Sequence, residues 1–236
     1  MNLLNRFAGL LMTLIVILLP FFIILSAVYA INTEAFVQYE YSQPGFPASQ
    51  RFSAQDRYKN SIQTVRYVRG EISLADLKNL GVYNDREVQH LVDVRNVWVE
   101  VTTFHIIAGV LILAAFIALT MSNLTRLWAA RALFYGGILS ILIVIGIGIF
   151  STVAFEEFFT DFHHLFFTGD SWLFDYTDSL IQFYPLPFWE AASYGIALFV
   201  AIASVLMVVI GWFWERTLGR HPAPAPALTQ VQEGKI

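Results

Sequence analysis

Histidines and carboxylates are the side chains of this chain best suited to proton chemistry. There are five histidines and no cysteine. Without a thiol, disulfides, thiolate metal sites and a cysteine nucleophile are excluded. Glu87, His90 and Asp93 recur at three-residue spacing, so a helix through them carries all three on one stripe, with Val97 below. A histidine between two carboxylates is oriented and held in one tautomer. With an ordinary pKa of about 6.5 it can take and give a proton at neutral pH. The same spacing equally suits a solvated charged face. A second pair, His163 and His164, lies in a stretch crowded with phenylalanine and acid, from Phe158 to Asp175. Asp170 and Asp175 in that stretch are secondary candidates, as is His164. His90, His163 and a carboxylate could supply three metal ligands. No His-x-x-x-His or HExxH spacing supports that, and no metal is expected. Ser171 and Ser179 lack a nucleophile-elbow pattern. His105, a turn inside an apolar run, is expected to bond a neighbouring helix. His221, among alternating Pro and Ala, is expected to be inert.

These residues sit between segments of another character. Of 236 residues, 57% are hydrophobic and only 14% charged, far from the roughly 25% charged of soluble domains. Four stretches carry no Asp, Glu, Lys or Arg: 27 residues at 7–33, 25 at 101–125, 24 at 132–155 and 24 at 191–214. Each can cross a bilayer, which needs about 20 apolar residues. The first also resembles a signal peptide, ending Val28-Tyr29-Ala30, but its apolar run is longer than the usual core of about 7–15 residues. An uncleaved anchor is expected. The spans contain no formal charge, which speaks against an ion pathway. A net charge of −4 gives no reason to expect a nucleic-acid partner.

Arg126 and Arg131 lie between the second and third spans. Residues 156–190 carry seven acids and no Lys or Arg. By the bias of basic residues toward the cytoplasm, both termini are expected inside, with residues 34–100 and 156–190 outside. Trp98 and Trp189 would mark the outer boundary, and Trp128, Trp212 and Trp214 the inner one. Residues 215–236 read as a disordered cytoplasmic tail.

The first outer segment reads as helices. Ser53 is a plausible N-cap and Gly70 a C-cap. Ser73 with Asp76 and Asn84 with Glu87 have the form of capping boxes. No breaker follows Asn84 until Gly109, so that helix is expected to run unbroken into the second span. The Phe-rich second segment is expected to fold down against the bilayer, bringing His163 toward His90. The expected fold is an all-α integral membrane protein, four transmembrane helices under a mostly helical extracytoplasmic cap.

Asp85-Arg-Glu87-Val-Gln-His90-Leu-Val-Asp93-Val94 resembles the "(E/R)E-x-x-H-x-x-D-V" helix of a family of bacterial four-span membrane proteins that includes the lipoprotein intramolecular transacylases. Phe162-His163-His164-Leu165-Phe166-Phe167, Gly169 to Asp175, Asp178 to Ile181 and Phe183-Tyr184-Pro185 resemble its second signature. The likeness extends from about residue 8 to residue 214. It implies a bacterial plasma-membrane acyltransferase acting on a lipoprotein whose N-terminal cysteine carries a diacylglyceryl group. The sn-2 acyl chain would move to the cysteine α-amine with no cofactor. The family's functional histidines fall on His90 and His163, with Glu87 and Asp93 orienting His90. Which histidine is the base, and whether basic residues of the first outer segment or backbone amides steady the oxyanion, are left open by the sequence. The alternative is a non-catalytic subunit of a larger membrane complex, its acidic, aromatic loop docking partner membrane proteins.

Overall fold

The computed structural model describes residues 3–219, and all its regular structure is helical. α1 (Leu3–Ile31) and α2 (Glu34–Tyr41) are followed by α3 (Ala54–Val68), α4 (Leu74–Asn79) and α5 (Asp85–Thr120). α6 (Arg126–Val153), α7 (Phe155–Phe166), α8 (Ser179–Phe183) and α9 (Leu186–Gly219) complete the order. Four of these, α1, α5, α6 and α9, are long and apolar enough to cross a membrane. Each contains most of one of the four uncharged stretches.

The bundle is built on small residues. α6 packs along α9, and α1 lies against α5, α6 and α9. A Cβ on Gly211 would stand 2.6 Å from the Phe134 backbone nitrogen, and one on Gly137 2.8 Å from the Ser204 carbonyl oxygen. Close backbone approach of this kind substitutes for the hydrophobic effect, which does not act between helices in lipid. Ser26 and His105 Nε2 join α1 to α5 at 3.0 Å, as expected of an interhelical histidine. Pro20 is buried within α1 without ending it. Large side chains such as Ile106, Val110 and Leu113 are left exposed on α5, where lipid would cover them.

The cap forms from α2, α3, α4, the first turns of α5, α7 and α8. Its apolar core includes Val37, Val65, Tyr67, Leu77, Leu91, Leu180 and Phe183. Ser53 caps α3 through the Asp56 N–H. After α3, Gly70 takes φ +82°, the left-handed geometry that releases the chain into its next turn. Both expected capping boxes are present, Ser73 with Asp76 and Asn84 with Glu87. α5 then runs 36 residues without interruption, from the cap into the bundle.

One helix start was not announced by the sequence, and one expectation, for the tail, is corrected. α7 is a separate helix, set off from α6 by Ala154 at φ −143°, ψ 64°, although neither Gly nor Pro stands there. At the other end, 215–219 continue α9 rather than beginning a disordered tail. Glu215 pairs with Arg131 at 2.9 Å, Arg216 lies over the Trp212 ring and Thr217 bonds back to the Trp214 carbonyl. The rest of the tail, with His221, lies outside the described residues.

Candidate active site

The Asn84 cap starts α5 two turns before His90 and aims that side chain into the cap. His90 is 9% exposed. It is walled by rings from the second segment: Phe167 with its centroid at 4.9 Å, Phe174 at 5.3 Å and His163 at 6.5 Å, the two imidazoles inclined by only 24°. His163 comes from the last turn of α7. Its Nδ1 lies 2.7 Å from the Phe159 carbonyl oxygen, one turn back. A carbonyl can only accept, so Nδ1 holds the proton and Nε2 keeps a free lone pair in the neutral ring. Trp172 stacks on that ring at 4.5 Å and 26°, and Phe159 packs against it at 4.2 Å.

This enclosure sets the protonation states. Burial, and secondarily the neighbouring His163, push the His90 pKa down to about 4. Burial also lowers His163, partly opposed by its bond to the Phe159 carbonyl. An aromatic cage solvates an imidazolium poorly, so both rings are neutral at pH 7. The site thus offers two adjacent neutral imidazoles, one with its tautomer fixed, at the level where the cap meets the bundle. Neutral imidazoles there can accept, relay and return a proton.

A model of the family described as lipoprotein intramolecular transacylase Lit matches residues 12–189. The chain belongs to the Lit family. An uncharacterized protein of Aquifex aeolicus (strain VF5) is 31% identical over 214 residues, covering 85% of this chain and 90% of that one. The membrane integral lipoprotein intramolecular transacylase Lit from Bacillus cereus superposes with a TM-score of 0.74 at 19% identity, over 92% of this chain and all of that one. A variant of the Bacillus cereus protein with one histidine changed to arginine gives 0.66 at 18% identity, over 92% of this chain and 95% of that one. These likenesses establish the fold: a multi-pass, all-helical membrane protein of Lit architecture.

Within this candidate site the expected residues are not all together. His90 and His163 meet. Glu87, 1% exposed, does not bond His90. Its carboxylate accepts from the Asn84 N–H at 2.9 Å and, across 93 residues, from the Leu180 N–H at 2.7 Å. The correction has a geometric cause: as the third helical residue Glu87 turns back to cap α5, and the side facing the second segment meets the start of α8. Asp93 accepts from the Gln89 side chain instead, and His90 Nδ1 is buried without a partner among the described residues. His164, Asp170 and Asp175 are exposed, His164 lying edge-on to Trp172. Among the described residues no three His, Asp or Glu side chains converge to hold a metal.

Sequence reasoning missed Trp172 and the groups that tie the two segments together. Asp178 accepts from Asn84 Nδ2 and from the Asp175 N–H. Arg51 donates to the Thr177 carbonyl and Ser179 Oγ, and Arg86 to the Leu173 carbonyl. The Asp-x-x-Asp spacing of Asp175 and Asp178 is the one local hint. The remaining pairs are far apart in sequence.

Proposed function

We propose that this chain is a lipoprotein intramolecular transacylase. It moves the sn-2 acyl chain of a diacylglyceryl-modified N-terminal cysteine to that cysteine's α-amine, leaving a lyso-form lipoprotein. The observation that carries this reading is the pair of facing, desolvated imidazoles in an aromatic pocket where the cap meets the bundle. With both termini cytoplasmic, that pocket lies at the headgroups of the outer leaflet, where a two-chain lipid anchor presents its esters.

The amine nitrogen attacks the sn-2 carbonyl carbon and the ester C–O bond breaks. One proton passes from the nitrogen to the departing glycerol oxygen. His163 suits the proton transfer, because its Nε2 lone pair is free while Nδ1–H is held by Phe159. His90, kept neutral by burial, can donate or relay without placing a charge beside the substrate amine. The nucleophile is a primary amine whose pKa is near 7.7–8.0, so a useful fraction is neutral at physiological pH. Attack within one molecule closes a medium ring, which a free lipid anchor seldom adopts. The rings of Phe167, Phe174 and Trp172 would hold the anchor folded, converting proximity into rate. Ester becomes amide, which is downhill, so no cofactor is needed.

Mass spectrometry of a model lipoprotein's N-terminus, from cells with and without this protein, tests the reading. The lyso-form with an amide-linked acyl chain is expected only with it. Unchanged diacylglyceryl-cysteine in both would refute the reading and favour an accessory subunit. Orientation is tested by cysteine labelling in intact cells. Ser171→Cys is expected to react with an impermeant thiol reagent and Ser122→Cys not; the reverse pattern would invert the topology.

A further inference from the structure

We propose that the indole N–H of Trp172 is the hydrogen-bond donor that holds the acyl carbonyl oxygen as it becomes an oxyanion, which makes Trp172 a catalytic residue. This deepens the transacylase reading and rests on it.

An acyl transfer needs a donor at that oxygen, and the arginines of the first outer segment are committed elsewhere. Arg57 reaches the Pro47 and Phe183 carbonyls, and its one nitrogen without a partner among the described residues, Nε, belongs to a guanidinium lying over the Tyr41 and Phe46 rings; Arg51 reaches the Thr177 carbonyl, Arg86 that of Leu173 and Arg95 that of Ile72. Trp172 is not committed. It is 9% exposed, and its Nε1 is sealed from solvent without a partner among the described residues. An indole nitrogen can only donate. Leaving it orphaned carries the desolvation penalty of a buried donor, and buried tryptophans ordinarily find an acceptor. The other tryptophan beside this pocket does so: Trp189 Nε1 donates to the Tyr184 carbonyl at 3.0 Å.

The location matches the need. Trp172 stacks directly on His163 at 4.5 Å. The other imidazole stacked on His163 is His90, whose Nδ1 is likewise buried and unpartnered. Two rings around one histidine thus each keep a polar nitrogen free, within a wall otherwise made of phenylalanine. A neutral donor also fits the electrostatics: it steadies a developing negative charge without a permanent positive charge beside the base. In the reaction, the amine nitrogen bonds to the carbonyl carbon and the π pair moves onto the oxygen held by Trp172. The pair then returns, the C–O bond to glycerol breaks, and the proton lost by nitrogen reaches the departing glycerol oxygen through His163. Nothing outside the substrate is consumed.

Trp172→Phe keeps a ring on His163 and removes the donor. Loss of one oxyanion donor in acyl transfer typically lowers kcat by about 10²–10³, and a fall of about 10² with KM nearly unchanged is expected. Replacement by the sulfur isostere benzothienylalanine, which preserves the indole's shape, is expected to be equally slow; wild-type turnover by the isostere would overturn the proposal. Binding supplies a readout independent of turnover. The indole N–H resonance of nitrogen-labelled protein in nanodiscs, assigned with Trp172→Phe, is followed with two blocked probes. An α-N-acetylated diacylglyceryl-cysteine peptide with an sn-2 ester is expected to move it downfield; the sn-2 ether analogue, lacking the carbonyl, is not. If wild type transfers acyl chains but its indole responds alike to ester and ether, the donor assignment falls and the transacylase reading stands. If the indole distinguishes the probes but wild type transfers nothing, the transacylase reading falls instead.

Discussion

The bundle and the cap of this protein are held together by opposite means. Between α6 and α9 the helices meet backbone to backbone at Gly137 and Gly211, with no room for one more carbon. In the cap, contact is made by polar groups reaching far along the chain. Glu87 accepts from the Leu180 N–H, Tyr41 donates to the Phe183 carbonyl and Tyr184 to that of Ser61, while buried Arg57 lies over Tyr41 and Phe46. The environments explain the difference. In lipid, apolar surface gives no advantage to helix association, so proximity and dispersion must serve. The cap has water outside, so it can bury an apolar core and fix it with hydrogen bonds whose loss is costly. Chemistry belongs in the second region, where direction can be specified as well as distance.

The largest break should come at the cap's candidate site. His90→Ala and His163→Ala are each expected to reduce acyl transfer by about 10²–10⁴, the usual contribution of acid–base catalysis, with the protein still folded by thermal denaturation in detergent. His164→Ala, on an exposed side chain, is expected to stay within a few-fold. Equal losses at all three would show that the paired geometry does not matter. In the bundle the corresponding break is steric. Gly211→Val must push α9 off α6 and is expected to cost about 3 kcal/mol or more. Its melting temperature should fall sharply, whereas the same change at Gly146, where a Cβ would meet nothing within 4 Å, should barely register.

A subtler test separates positioning from catalysis. Glu87→Gln keeps one acceptor oxygen and the side chain's volume, but cannot serve both N–H groups as a carboxylate does. It is expected to lose about 1–2 kcal/mol of stability and roughly tenfold in kcat, without moving the titration of His163. A displaced His163 titration would mean that Glu87 acts on the histidines rather than on the frame. The smallest effect is a titration that does not happen near neutrality. The folded pKa of His90 is about 4 against an ordinary 6.5, and that of His163 is also lowered. Between the folded and unfolded values the folded state binds fewer protons. Stability from these neutral rings is therefore complete above pH 6.5 and is lost as pH falls toward the folded values. In isotope-labelled protein the His90 resonance should remain at its neutral position down to about pH 5. A shift midway near pH 6.5 would show a wetter pocket than the structure has.

What could be read from the chain was what depends on near neighbours. The four spans follow from the absence of charge, and the unbroken α5 from the Asn84–Glu87 box and the lack of a breaker before Gly109. The meeting of His90 and His163 was legible because both lie near the ends of spans and the Phe-rich stretch around His163 was expected to fold down rather than stand in water. Glu87 was read as a partner of His90 because spacing shows only what lies on the same helix. Its bond to Leu180 depends on a fold closing 93 residues. Trp172 left no trace as a neighbour of His163: nine residues apart on a turn, they stack only because Gly169, at φ +61°, turns the chain after α7. The start of α7 was hidden because the break at Ala154 carries no Gly or Pro to announce it.

The continuity of α5 has a consequence for how this sequence can change over time. His90 stands ten residues before Glu100 on a single rigid helix, about 15 Å above the uncharged span, so that helix acts as a graduated rod set into the bilayer. Substitutions along it can be absorbed singly. One residue gained or lost between His90 and Glu100 cannot: it would swing the imidazole by about 100° around the axis and change its height by about 1.5 Å, away from His163. Lineages that keep this geometry should therefore tolerate substitutions along this stretch far more readily than any change in its length.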